Sequence, residues 1–367
     1  MMRVGLAIGL FIVVATGAGC GSGGTSAAPI NGAAGTSGPG AAGVTGVAGA
    51  TSPIGAAGSA GSTPYTPPAL PAGGMDACTA FVKATCAKRD ACTTGTDKGT
   101  TIIFGSAALC ESRELPKCVA TLTARGTSKT PALLSACTTS LAQQTCGDYF
   151  DNVLTASCRP VAGTLANGAP CLSSWQCTSA FCSLPHADVC GVCAPRPQAG
   201  DSCVDSVCGT GLLCHMSTLT CSKAIAAGGG CDKNNPCASG FACVGNGAGA
   251  QGTCKAEGHT AGTPCDPKSA LLPGCDKNAG LYCDATSLQC KAMMAVGDGQ
   301  PCGTVGGAQV LCKAGGLCVG ATLLQPGTCK APVADGAACN DLTGPPCGAP
   351  AKCVRGTCRM PDAAVCH

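Results

Sequence analysis

Apolar residues fall into four patterns along this chain of 367 residues, and each predicts a different element. From Val4 to Ala15 runs an apolar stretch of 12 residues behind a single positive charge, Arg3. It is too short to span a bilayer, and the small residues Thr16 to Gly19 then lead to Cys20. This is signal-peptide anatomy over residues 1–19. From residue 21 to 74 there is no charge and no cysteine, only a mixture dominated by Gly, Ala, Ser, Thr and Pro. Such a stretch cannot bury enough apolar area to offset its ordering entropy. Residues 20–74 are therefore expected to be a flexible tether, with an end-to-end distance of roughly 40 Å.

Helical periodicity follows over residues 75–165. Ala77 to Cys92 places Phe81, Thr85, Lys88 and Cys92 on one side. Ser106 to Arg125 reads as a second helix, with Cys110 and Cys118 about two turns apart. Thr130 and Pro131 are a capping residue and a first-turn proline, followed by Leu134, Cys137 and Leu141 at helical spacing, with Gly147 as the stop. Asp148 to Ser157 is expected to add a short fourth helix. Cys78, Cys86, Cys92, Cys110, Cys118, Cys137, Cys146 and Cys158 would staple these helices internally with four disulfides.

The fourth pattern, over residues 166–367, is a repeat in which glycine and a small spacer precede a cysteine. Unit 1 holds Cys171, Cys177, Cys182, Cys190 and Cys193, and unit 2 holds Cys203, Cys208, Cys214 and Cys221. Unit 3 holds Cys231, Cys237, Cys243 and Cys254, and unit 4 holds Cys265, Cys275, Cys283 and Cys290. Unit 5 holds Cys302, Cys312, Cys318 and Cys329, and unit 6 holds Cys339, Cys347, Cys353 and Cys358. The leading glycines are Gly168, Gly200, Gly229, Gly262, Gly299 and Gly336. Glycine before an apolar residue and the third cysteine, as at Gly240 and Gly280, predicts a tight turn into a short strand. Each unit is expected to be a two-disulfide knot with one β-hairpin. Four cysteines allow three pairings, and the sequence does not choose among them; first-to-third and second-to-fourth is favoured. Unit 1 has a fifth cysteine and Cys366 stands alone, so parity calls for one extra bond, which would join the two.

Composition explains why sulfur is needed. The chain has 35 Cys, 34 of them after residue 77, but only 3% aromatic residues. Alanine buries little area and aromatics bury much, so cross-links take over from an apolar core. The fold class expected is small and disulfide-rich: a stapled α-helical N-terminal domain, then tandem two-disulfide knots with short β-hairpins. The net charge of +3 shows no polybasic footprint for nucleic acid.

Small residues directly before Cys20 resemble a bacterial lipobox, with Gly17 where that family prefers Leu. The resemblance implies a bacterial chain whose Cys20 carries acyl chains as the mature N-terminus. With Gly21 following, it implies the outer membrane. Removing Cys20 leaves an even 34 cysteines, which can pair completely. Residues 171–221, with Cys171, Cys177, Cys182, Cys190, Cys193, Cys203, Cys208, Cys214 and Cys221, resemble the Dickkopf N-terminal cysteine-rich domain without its adjacent cysteine doublet. In animals that family modulates a signalling receptor. The whole layout resembles cysteine-rich lipoproteins of myxobacteria.

Candidate chemistry is sparse. Cys190 and Cys193 form the one C-x-x-C, where a zinc ribbon needs two such pairs and a redox motif needs a βαβ context. Residues 247–252 fit G-x-G-x-x-G, but inside a knot rather than between strand and helix. Asp232 to Asn234 and Asp276 to Asn278 hint at calcium loops that lack the later ligand and glycine, and so read as turns. His186, His215, His259 and His367 are scattered. No metal, cofactor or catalytic residue is expected. Lys255, Lys291, Lys330 and Arg359 each follow a fourth cysteine and are the one repeated surface charge. The expected function is non-enzymatic: a cell-surface lipoprotein, held to the membrane by lipid, that displays disulfide-rich modules to an extracellular protein or glycan. A structural envelope spacer is the alternative, and a protease inhibitor ranks after it.

Overall fold

The computed structural model describes residues 66–367, apart from 186–187, 204–207, 210–211, 216–217, 233–234, 246–250, 267–271, 323–324 and 367. The signal segment, Cys20 and residues 20–65 of the expected tether lie outside the described residues. The fold is disulfide-rich, with small β-sheets and few helices.

Among the described residues, the α-helices all lie before residue 151: α1 (Gly74–Ala91), α2 (Gly99–Phe104), α3 (Ala107–Thr123), α4 (Pro131–Leu141) and α5 (Cys146–Phe150). Hydroxyl caps start three of them. Ser106 accepts from the Leu109 amide, Thr130 from Leu133 and Thr145 from Asp148, each meeting a donor that has no partner inside the helix. Asp90 takes the same part for α2, accepting from the Thr100 amide at 2.8 Å and its hydroxyl at 2.9 Å.

The helix ends differ from the sequence reading at three places. α1 begins at Gly74, not Ala77. α4 stops at Leu141 rather than running to Gly147: the Gln143 and Gln144 amides close tighter turns onto Ser140 and Leu141, and the Thr145 cap restarts a helix that contains Gly147. The helix expected over Asp148 to Ser157 is broken by Asn152, whose φ is 55°, and continues only as a 3-10 turn at Ala156–Cys158.

Cys78 bonds Cys118 and Cys86 bonds Cys110. The partners are eight residues apart on both helices but run in opposite order, so α1 and α3 pack antiparallel. Cys92–Cys146 ties the end of α1 to α5, and Cys137–Cys158 ties α4 to the 3-10 turn. Phe81, Val82, Phe104, Leu122, Leu134 and Leu141 fill the space between these bonds. Each such side chain contributes about 1.5–3 kcal/mol by leaving water.

After residue 158 the chain repeats one framework six times. In every unit the first cysteine bonds the third and the second bonds the fourth, with Cys193 taking the fourth place in unit 1 and Cys190 standing outside the pattern. The third and fourth face each other across a hairpin: Cys182 and Cys193, Cys214 and Cys221, Cys243 and Cys254, Cys283 and Cys290, Cys318 and Cys329, Cys353 and Cys358. Three residues before each first cysteine stands a glycine of positive φ, and its amide donates to the carbonyl of the fourth cysteine at 2.8–2.9 Å. In unit 3 this glycine is Gly228, with φ of 75°, and not Gly229. A left-handed residue lets the entering chain turn back onto the hairpin, a conformation glycine adopts at no steric cost. Residues still earlier belong to the framework too: Leu165, Ile225, Gly258 and Val333 pair in parallel with the second cysteines of units 1, 3, 4 and 6. In unit 5 this pairing grows into a strand, Met294–Val296, on a five-stranded sheet.

Among the described residues, five of the six units touch the helical part. Unit 1 meets it where Ser128 donates to the Trp175 carbonyl and Gln176 to that of Arg125. In unit 3, Ser239 donates through its amide and hydroxyl to Asp151. In unit 4, the Ala279 carbonyl accepts from the Thr94 and Gly95 amides at 2.9 and 3.1 Å. In the lead-in to unit 5, the Ala295 amide donates to Asp97 at 2.7 Å. In unit 6, Arg113 of α3 reaches the carbonyls of Gly348 and Ala349. Cys190 then bonds Cys366, and Ala124, Leu172, Ala363 and Cys366 form an apolar cluster at that seam. The knots thus wrap the helices in a closed circuit.

Candidate functional site

The repeated framework leaves a repeated outer surface. The residue after each fourth cysteine sits opposite the residue before the third: Lys255 faces Ala242, Lys291 faces Tyr282, Lys330 faces Leu317 and Arg359 faces Lys352. All four basic residues are exposed. Lys291 is engaged in its own hairpin, paired with Asp284. That contact, together with the Thr286 and Ser287 amides, holds the Asp284 carboxyl down at about 2, and Asp284 raises the Lys291 ammonium in turn.

Between cysteines the units diverge. The second and third are separated by four to seven residues, but the hairpin from third to fourth holds four to ten and the first loop four to nine. At the hairpin tips of units 2 and 4, Leu219 and Leu288 adopt φ of 53° and 52° and remain 41% and 46% exposed. Unit 6 places Gly356 at the equivalent position, with φ of 77°. A left-handed leucine stores strain that glycine would not.

Where units meet the helices and each other, half-buried charges are shifted. Burial pushes the Glu257 carboxyl up to about 7, with neighbouring Asp276 adding to the shift and Lys277 opposing it. Burial raises Asp151 against the hydrogen bonds from Ser239 that lower it. Burial, reinforced by Lys117, lowers Lys352, whose ammonium donates to the Pro185 carbonyl across the seam between units 1 and 6. His259 Nδ1 lies 3.0 Å from the buried Asp276 carboxylate. None of these contacts has a local sequence signal, because the partners come together only through the circuit.

The motifs singled out in the sequence fall into framework roles. Cys190 and Cys193 belong to different disulfides, with Cys366 and Cys177. In units 1–5 the sulfurs of the first, second and fourth cysteines lie within 4.8 Å of one another, close enough for a soft metal were they thiolates. Each is instead bonded to another sulfur and lacks the thiolate that ligates. Gly252 begins a hairpin strand, while 247–250 lie outside the described residues. Asp276 accepts from the Asn278 and Ala279 amides, and Asp232 from Asn235, as turn-forming aspartates do; residues 233–234 lie outside the description. His186, His367 and the side chain of His215 do as well.

A cavity of about 10 Å³ lies among Phe81, Leu141, Gln144, Tyr149, Leu154 and the Cys137–Cys158 bond, room for about one water. Within the described residues, no helix is long and apolar enough to cross a membrane. The segment 171–221 is two separately closed units, with Cys190 leaving it for Cys366. Comparison with protein-family models, with curated proteins and with solved structures gives no match in any of the three.

Proposed function

We propose that this chain is a non-enzymatic binding protein of the bacterial cell surface, anchored by a lipid on Cys20 and held off the membrane by the tether that precedes α1. The observation that carries this reading is the contrast within each knot. One framework of two disulfides and a closing glycine recurs six times, while the loops it carries differ in length and chemistry. A rigid frame with divergent loops spends little ordering entropy on binding. The exposed, strained Leu219 and Leu288 are suited to contact with a partner protein or glycan. Residues 75–165 serve as the stapled helical domain around which the display units of residues 166–367 are arranged. The Dickkopf-like spacing of 171–221 and the myxobacterial layout agree with a secreted or surface module rather than with catalysis.

The test is binding by the full chain. Purified from envelopes and immobilised through its N-terminus, it is exposed to a glycan array and to secreted proteins of neighbouring cells. Saturable binding that Leu219→Gly and Leu288→Gly together reduce supports the reading. A second reading, an envelope spacer, is favoured by the long uncharged segment of residues 21–74. High copy number in the envelope with no saturable partner would establish it and overturn the first.

A further inference from the structure

Two buried polar side chains border one small cavity in the helical part. Gln144 and Tyr149 are 8% and 7% exposed, and both belong to the wall of the cavity of about 10 Å³ beside Phe81, Leu154 and the Cys137–Cys158 bond. Among the described residues, neither Gln144 Oε1 nor the Tyr149 hydroxyl has a hydrogen-bond partner. Both side chains are pinned from elsewhere. Gln144 Nε2 donates to the Val153 carbonyl at 2.9 Å, and the Gln144 carbonyl accepts from Lys88. The Tyr149 amide donates to the Thr145 carbonyl at 3.0 Å, and the ring stands edge-on to Phe150 with centroids 5.4 Å apart. Thr155, whose hydroxyl lies 2.6 Å from that of Ser140, completes the polar side of the wall. Buried polar groups in folded proteins are almost always hydrogen-bonded, and these two are held where no protein group reaches them.

We propose that this cavity is a binding site for one water molecule, which links Tyr149 of α5 to Gln144 beyond the end of α4. Size selects the ligand: about 10 Å³ is room for one water and for nothing larger. The chemistry agrees. Gln144 Oε1 only accepts, while the tyrosine hydroxyl donates and accepts. A water takes the hydrogen bond from Tyr149, gives one to Gln144 Oε1 and gives its second to the Thr155 oxygen, three bonds being the usual number for a buried water. Phe81, Leu141 and Leu154 offer no rival acceptor, and a cavity lined by such side chains alone would stay dry. The bridge bears on the knots as well. Asp151, two residues after Tyr149, follows α5 and receives the amide and hydroxyl of Ser239 in unit 3. The water therefore braces the short helix on which unit 3 docks.

A crystal structure of the full chain, refined at a resolution that places ordered water, tests this. One peak is expected within about 2.5–3.0 Å of both Tyr149 Oη and Gln144 Oε1. Tyr149→Phe, which keeps the ring and removes only the hydroxyl, should lose that peak. In the same variant, hydrogen exchange at the Ser239 amide should quicken about fivefold relative to the Cys358 amide, which closes the frame of unit 6. A direct hydrogen bond between the two side chains, density for a molecule larger than water, no ordered density in the cavity, or a peak and a Ser239 exchange rate both unchanged in Tyr149→Phe would overturn the proposal. If Tyr149→Phe does not fold, the density in the unaltered chain decides alone.

Discussion

Cys190 and Cys366 are bonded across 176 residues, so the first knot and the chain's last residues hold one seam. The bond encloses all of units 2 to 6. Every other disulfide closes within the helical part or within a single knot. The double variant Cys190→Ser and Cys366→Ser should therefore leave each knot intact while opening the circuit. A loss of about 2–4 kcal/mol is expected in denaturant unfolding. Limited proteolysis should cut first near residue 360.

Arg113 holds the same seam from the helical side. Its guanidinium donates to the carbonyls of Ala349 at 2.7 Å and Gly348 at 2.8 Å, and to Asp335 at 2.7 Å. Asp335 is 42% exposed, so the ion pair itself is screened. Asp335→Asn should cost less than about 1 kcal/mol, and Arg113→Ala about 2 kcal/mol, because two carbonyls lose a charged donor. Arg113→Lys should not restore the loss, since a point charge cannot reproduce the planar fork. Thermal unfolding of the three variants checks the order.

Asp284 supplies a dependence on acid. Its folded pKa is held at about 2, below its ordinary value of 3.8, chiefly by the Lys291 hydrogen bond. A depressed carboxyl stabilises the fold above its unfolded pKa and ceases to do so as pH falls through the folded one. The unit 4 hairpin should therefore weaken between about pH 4 and pH 2. Lys291→Ala should return the Asp284 carbon resonance in an NMR titration toward the ordinary carboxyl range.

Two glycines separate steric from conformational demands. A Cβ on Gly191 would stand 2.2 Å from the Ser183 carbonyl and 2.8 Å from Cys182 Sγ. On Gly168, whose φ is 88°, it would meet nothing within 4 Å. Gly168→Ala should cost about 1–2 kcal/mol of backbone strain and fold normally. Gly191→Ala should prevent the strands of unit 1 from closing, seen as scrambled disulfides in a non-reduced peptide map.

What the sequence discloses divides along the same line. Turn glycines, the Thr130 and Ser106 caps and the cysteine rhythm are local, and their chemistry acts within a few residues, so they are legible. The short α2 offers too few residues for a period to register. The stop at Leu141 depends on Thr145 offering a new cap, a competition that glycine counting at 147 overlooks. Arg113, Asp151 and Asp276 look like ordinary surface charges in the sequence, because their partners lie 88 to 236 residues away or on a neighbouring turn. Parity points from Cys366 to the extra cysteine of unit 1, and the bond between Cys190 and Cys366 is that pair; which of the unit's cysteines is the extra one is not legible.

Sulfur–sulfur bonds hold this fold in place of an apolar interior, and intact mass after alkylation in denaturant without reductant tests that most directly. The 17 bonds predict that none of the 34 cysteines from Cys78 to Cys366 gains an alkyl group. A protein alkylated at most of them, releasing zinc as it unfolds, would contradict it.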